Sequence, residues 1–173
     1  MKAIIISYSY TGNNEALAEA VAKELSLKHY KVTTSKPMSM RAIILDMMFS
    51  RIPKVDPLPA ITGEYDFVLF FGPVWMGQTA SPLRAYLNNL KRNPKPYGFI
   101  SISGGADGGN PKLAQELLKR TGSQPVILLD QHLSEILPVS SQVTRKETSS
   151  YKIGEADLKQ LTKNTLEIVN RVL

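Results

Sequence analysis

Short apolar runs alternate with stretches of helical periodicity along the whole chain, and this alternation is the strongest constraint on its fold. Lys2–Ser7 and Glu64–Phe71, the latter rising into Phe67-Val68-Leu69-Phe70-Phe71, lack polar alternates and read as strands buried on both faces. Tyr30–Thr34, Tyr97–Ser103 and Val126–Asp130 bring the strands to five. Helices are predicted at Asn13–Leu27, Ser81–Leu90, Lys112–Arg120 and Glu155–Val172, each with one apolar stripe, such as Leu17, Ala20, Val21 and Leu25 in the first. Ser81-Pro82 and Asn110-Pro111 are helix starts, and Gly122 is a helix stop. The prediction is therefore an α/β fold over 1–173, a single domain whose doubly wound, five-stranded parallel sheet carries helices on both faces. At 173 residues and 43% hydrophobic composition the chain has enough apolar surface for one core.

Two stretches interrupt the alternation. Ser35–Ala60 holds a methionine-rich helix (Met40, Ile43, Ile44, Met47, Met48) and then a proline-rich extended tail, Pro53 to Pro59. Gln131–Ile153 is long for a helix–strand connection.

Composition removes several function classes. With no cysteine, the chain has no disulfide frame, thiolate metal ligand or cysteine nucleophile. His29 and His132 lack ligand-spaced companions, so no metal is expected. No run approaches the length of a membrane span or a signal-peptide core, and a cytoplasmic location is the expectation. The net charge of +6 comes from scattered Lys and Arg with acids between them, without the basic stripe and interleaved aromatics of a nucleic-acid binder.

Three loops follow the strands at their carboxyl ends, where open α/β sheets bind ligands, and a 2-1-3-4-5 strand order sets them side by side. The first, Ser9-Tyr10-Thr11-Gly12-Asn13-Asn14, offers hydroxyls, amides and backbone N–H groups just before a helix start. That suits a phosphate monoester. It matches neither the dinucleotide fingerprint nor the P-loop, and it has no lysine for a triphosphate. The second, Gly72-Pro73-Val74-Trp75-Met76-Gly77-Gln78-Thr79, carries the single tryptophan, which reads either as a packing anchor or as a face for a planar ring. The third, Gly104-Gly105-Ala106-Asp107-Gly108-Gly109, reads as a flexible turn or as backbone open to close approach by a heterocycle.

Taken together, Ser9-x-Thr11-Gly12-Asn13-Asn14, then Gly72-Pro73-Val74-Trp75-x-Gly77 with Pro82-Leu83-Arg84-x-x-Leu87, resemble the phosphate loop and the second loop of flavodoxin-like proteins over essentially the whole chain. The resemblance implies FMN as cofactor, between the first and third strands. It implies that Ser9, Thr11, Gly12, Asn13 and Asn14, with Tyr10 among them, hold the phosphate. Pro73, Val74, Trp75, Met76 and Gly77 would line the isoalloxazine, and Gly104, Gly105, Asp107 and Gly108 would close its other side. Three features depart from the family: Asn14 replaces the usual Thr, Tyr10 is bulky, and the chain is net positive where shuttle flavodoxins are acidic.

The work implied is redox, through a non-covalent flavin. One form is an NAD(P)H-dependent reductase acting on a small acceptor such as a quinone. A second is a one-electron courier between acidic redox proteins. A third is a flavin-free interaction module on the same fold. Loop two is uncharged and Arg84 follows it closely, so a reduced flavin should be less disfavoured than in an acidic shuttle. Segment 38–52 reads either as a core-covering helix or as a partner or homodimer surface, flanked by Lys36, Arg41, Arg51 and Lys54.

Overall fold

Five parallel strands form the centre of the molecule in a computed structural model that describes residues 1–36, 38–106, 108–137 and 144–173. They are β1 (Ala3–Ser7), β2 (Lys28–Lys31), β5 (Phe67–Phe71), β8 (Tyr97–Ser103) and β9 (Ile127–His132), in the order β2-β1-β5-β8-β9. Counting only these five, the order is the expected 2-1-3-4-5. Two small antiparallel pairs accompany them: β3 (Thr33–Thr34) with β4 (Val55–Asp56), and β6 (Val74–Trp75) with β7 (Gln78–Thr79).

The helices cover both faces because the inner strands β1, β5 and β8 present apolar side chains to both. Ile4 and Ile6 face a cluster built on α3 (Ser81–Arg92) and α4 (Leu113–Thr121), with Leu83, Tyr86, Leu87 and Leu117 fully buried. Ala3 and Ile5 face α1 (Asn13–Glu24) and α6 (Glu155–Val169) through Leu17, Val21, Leu161 and Val169. Each such side chain is worth roughly 1.5–3 kcal/mol of burial. α2 (Met40–Met48) lies on the α3 side, and a short α5 (Arg145–Ser150) precedes α6. No helix among the described residues is long and apolar enough to cross a membrane, and none of their acidic and histidine side chains form a group of three fit for a metal.

Boundaries differ from expectation where tertiary pairing decides them. The strand expected at Tyr30–Thr34 is two elements: Lys28–Lys31 pairs with Ile4–Ser7, whereas Thr33–Thr34 turns away onto Val55–Asp56. β2 is an edge strand with exposed ends, so no apolar run marks it in the sequence. α1 stops at Glu24, before the left-handed Ser26, and α6 stops at Val169. The proline-rich tail is broken by β4 and a 3-10 turn over Pro59–Glu64. Ser81 does not cap α3; its hydroxyl donates to Asp46 Oδ2 at 2.8 Å.

Candidate functional site

The sheet register starts the three loops from one line. Ser7 pairs with Phe71, Phe71 with Ile100, and Ser103 with His132 three residues further along β8. Loops after β1, β5 and β8 therefore share the carboxyl end of the sheet.

In loop one, Gly12 sits at φ +98° as the residue before α1, a conformation that costs glycine nothing and a side chain much. A Cβ there would meet nothing within 4 Å, so the turn is open on its outer side. Gly12 has no side chain with which to cap α1, so the first-turn N–H groups have no acceptor from that position. The Gly12 N–H donates to Ser9 Oγ at 3.0 Å, which folds the loop around that hydroxyl, and Thr11 is exposed beside it. Glu15, whose charge would oppose an anion at this helix start, is paired with Lys31 at 2.5 Å.

The two asparagines of the loop are committed elsewhere. Asn14 Nδ2 donates to the Ile102 carbonyl at 3.0 Å, and its Oδ1 accepts from the Ile102 N–H at 2.8 Å. Pairing of β5 with β8 ends at Phe71 and Ile100, so the Asn14 amide acts as the next rung. Asn13 bonds the Tyr151 carbonyl and the Ile153 N–H, tying α1 to the segment before α6. The structure therefore corrects the expectation that these side chains face a phosphate: only their backbone N–H groups remain for that role.

Loop two is a hairpin. Val74–Trp75 pairs with Gln78–Thr79 across Met76-Gly77, both at positive φ (51° and 74°), which is the geometry of a type I′ turn. Met76 at its tip is 72% exposed. Gly72 below it is required by packing, since a Cβ there would run into the Leu83 side chain. Trp75 is half-buried, edge-on to Tyr8 (6.1 Å between centroids, 89°) and to Tyr10 (6.3 Å, 87°). It thus packs against the core and also joins loop one to loop two. Burial, and secondarily the nearby Tyr10 and Asp46, push the Tyr8 hydroxyl up to about 12, so it stays neutral.

Loop three is tighter than its glycine content suggests. Gly108 N–H bonds the Gly105 carbonyl at 3.0 Å, and Gly105 and Gly108 both have positive φ. A Cβ at Gly105 would lie 2.6 Å from His132 Cβ, and one at Gly104 would lie 2.9 Å from Thr148 Oγ1. These glycines admit neighbouring parts of the same chain; Gly108 alone of the three faces open space. Asp107 lies outside the described residues. Behind the loop, His132 is held between Asp130 (3.1 Å) and Glu135 (3.2 Å), and Asn110 bridges Ser103 and Asp130. Burial lowers the His132 pKa, but the hydrogen bond and charge of Asp130, and then of Glu135, outweigh it and hold the imidazole above its ordinary value.

Between hairpin and glycine loop lies a cleft of about 300 Å³. Val74, Met76, Gly77, Gly104, Gly105 and Gly108 line it. Pro73, Trp75 and the residues of loop one do not; they stand next to it across the Trp75–Tyr10 contact. Asn110, Arg145 and Thr148 complete the wall and were not anticipated. Arg145 and Thr148 belong to α5, whose sequence mark is the capping box Thr144-x-x-Glu147: Thr144 Oγ1 accepts from the Glu147 N–H, and the Glu147 carboxylate accepts from the Thr144 N–H.

Arg84, expected to bring charge near this cleft, is instead fully buried. It donates to the carbonyls of Asp46 (2.9 Å) and Thr79 (3.3 Å) and to the Gln78 side chain (3.1 Å). Burial first, and Arg120 next, lower its pKa to about 10, and it remains charged at neutral pH. It fastens α2 and the hairpin to α3; Arg145 is the cation on the cleft wall.

No family model matches the chain, and no curated protein matches it either. Solved structures do. A flavoprotein from Lactobacillus acidophilus NCFM, crystallised in complex with FMN, is 20% identical with a TM-score of 0.60, over 75% of this chain and 93% of its own. A flavodoxin from Streptococcus pneumoniae TIGR4 is 16% identical with a TM-score of 0.55, over 98% and 99%. A flavodoxin from the domain Archaea is 17% identical with a TM-score of 0.53, over 99% of each chain. At such identities the likeness is one of fold, and the fold of this chain is flavodoxin-like.

Proposed function

We propose that this chain is an FMN-binding redox protein that transfers electrons or hydride through a non-covalently held flavin. The observation that carries the reading is the start of α1: an open, positive-φ Gly12 in place of a capping side chain, with the Ser9 and Thr11 hydroxyls beside it. Such a terminus attracts a dianionic phosphate. The adjoining aromatic contact and cleft suit a planar ring, and the Lactobacillus acidophilus protein of the same fold is in complex with FMN.

On this reading the Ser9 and Thr11 hydroxyls and the backbone N–H groups of Asn13 and Asn14 hold the phosphate, while the Gly12 N–H orients the Ser9 hydroxyl. Val74, Met76 and Gly77 line one side of the ring, and Gly104, Gly105 and Gly108 the other. FMN, when bound, supplies reversible electron and hydride acceptance. The chain supplies position and electrostatics: Lys31 keeps Glu15 from opposing the phosphate, the hairpin walls one side of the cleft, and Arg145 favours negative charge within it. Turnover of NAD(P)H with a quinone is the activity to assay first.

Trp75 is the only tryptophan, so its emission reports the site directly. Titration with FMN should quench it to saturation, and Ser9→Ala with Thr11→Ala should weaken that binding at least ~10-fold by removing two hydroxyl bonds to a charged group. Quenching that is absent, or equally tight in the double variant, would overturn the assignment.

A further inference from the structure

α2 is apolar on its outer face as well as its inner one. Its one acidic side chain, Asp46, is buried and accepts from the Ser81 hydroxyl, while Ile43 and Met47 flank it inward. Outward stand Met40, Ile44, Leu45 and Met48, followed by Phe49 and Ile52; Met48 is 69% exposed and Phe49 61%. A surface helix ordinarily turns its polar stripe to water. Contiguous exposed apolar side chains of this kind mark an interaction site, and methionines adapt to a partner's shape.

The surroundings identify the occupant. Between Lys36 and Lys54 the only acid is the buried Asp46, whereas Lys36, Arg41, Arg51 and Lys54 are all exposed. The Arg51 guanidinium lies over the Phe49 ring, 5.4 Å from its centroid, so cation and apolar surface meet at one point. From Ser50 a groove of about 840 Å³ continues between α3 and α4, with Lys91, Arg92 and Lys119 along it; the acid that lines it, Glu116, is paired with Arg120. Lys91 Nζ reaches the Lys119 backbone carbonyl at 3.5 Å, which brings the Lys91 cation of α3 across to the end of α4. Gln78 lines this groove and Met76 lines the ring cleft, with only Gly77 between them in the chain. The face therefore runs up to the candidate cofactor site.

We infer that this face docks an acidic protein, one whose contact surface carries carboxylates around an apolar centre. A second copy of the chain related by a two-fold axis would set the same cations against each other, at a cost. A lipid surface is a poor match, because the apolar helix is only nine residues, ~14 Å long, and a flat headgroup plane does not fill a groove. That the partner is a redox protein rests on the flavin reading above; the docking itself does not.

The test uses the isotope-labelled full chain and three probes: a plant-type ferredoxin as the acidic protein, cytochrome c as a basic one, and vesicles of phosphatidylcholine with phosphatidylglycerol. Ferredoxin should shift the amide resonances of α2 and of the Lys91–Lys119 groove, with affinity falling ~10-fold or more between about 50 and 500 mM salt. Arg51→Glu with Lys91→Glu should weaken docking ~10-fold or more, and so should Met48→Ser with Phe49→Ser. All four positions are exposed, and thermal unfolding checks that each variant folds. Four results would overturn the inference: no shifts with ferredoxin or shifts elsewhere; equal docking of cytochrome c; vesicle binding abolished by Met48→Ser with Phe49→Ser; or a native dimer in sedimentation that this variant dissolves. FMN quenching of Trp75 is measured in the same samples. Docking without quenching would sink the flavin reading and leave the docking face standing; quenching without docking would do the reverse.

Discussion

Replacing Asn14 by Ala separates a structural role from a ligand role at one position. The side chain is 2% exposed and makes two bonds, 2.8 and 3.0 Å, to the N–H and C=O of a single residue, Ile102. Alanine removes both partners at a point where β5 has already ended, so no neighbouring strand replaces them. A buried backbone group left without a partner costs about 1–3 kcal/mol. Partial hydration through the space vacated reduces the pair to a total of ~2–4 kcal/mol. With a urea slope of roughly 2 kcal/mol per molar for a chain of this size, the midpoint should fall by about 1–2 M. Urea unfolding followed by far-ultraviolet circular dichroism measures that shift, and Trp75 quenching under native conditions measures FMN affinity in the same variant. Asn14→Ala should lose stability while keeping affinity within a few-fold; Thr11→Ala, at an exposed position, should do the opposite. If Asn14→Ala kept its urea midpoint and lost FMN affinity tenfold or more, the side chain would be a phosphate ligand and the rung argument would be wrong.

Gly105→Ala combines a positive φ with a Cβ forced against His132, so it should cost ~2–4 kcal/mol, read as a drop in the urea midpoint; a change below about 0.5 kcal/mol would contradict the packing described. The raised pKa of His132 makes its bridge to Asp130 and Glu135 fully stabilising below the ordinary histidine value near ~6.5, and the contribution is lost as pH rises through the higher folded value. The native chain should therefore lose stability relative to His132→Gln as pH rises from about 6.5, and parallel midpoints for the two would refute this. Arg84→Met removes the donors that hold the Asp46 and Thr79 carbonyls and should destabilise by roughly 2–4 kcal/mol, with faster hydrogen exchange over α2. In the FMN-loaded protein, Arg145→Gln should lower the reduction potential by roughly 20–40 mV, the effect of removing one cation from the cleft wall; an unchanged potential would take Arg145 out of the electrostatics.

Much of the scaffold was legible because its signals are local. Phe67–Phe71 and Ala3–Ile6 are apolar without alternation since both faces of a central parallel strand are covered, and a helix containing Met40, Ile43, Ile44, Met47 and Met48 was read from its apolar residues. The edge strand was misplaced because β2 is half-solvated and carries no such run. The hairpin Val74–Thr79 escaped notice because its turn residue at positive φ is Met76, outside the usual Asn-Gly or Asp-Gly signal. α5 is six residues long, too short for periodicity, and only its capping box announced it.

Of the candidate site, the order of the chain alone determined which loops would gather at one end of the sheet, since strand direction and winding follow from the alternation of strands and helices. What each residue does within those loops was decided by tertiary contact. Asn13, Asn14 and Arg84 look like ligand groups in the sequence, yet each satisfies backbone groups that only the folded chain brings within reach. Gly104 and Gly105 look open, yet they are small because Thr148 and His132 press on them. Hydrogen-bond satisfaction and packing depend on neighbours distant in sequence, so residue type can propose a role at such positions, and only the surroundings assign it.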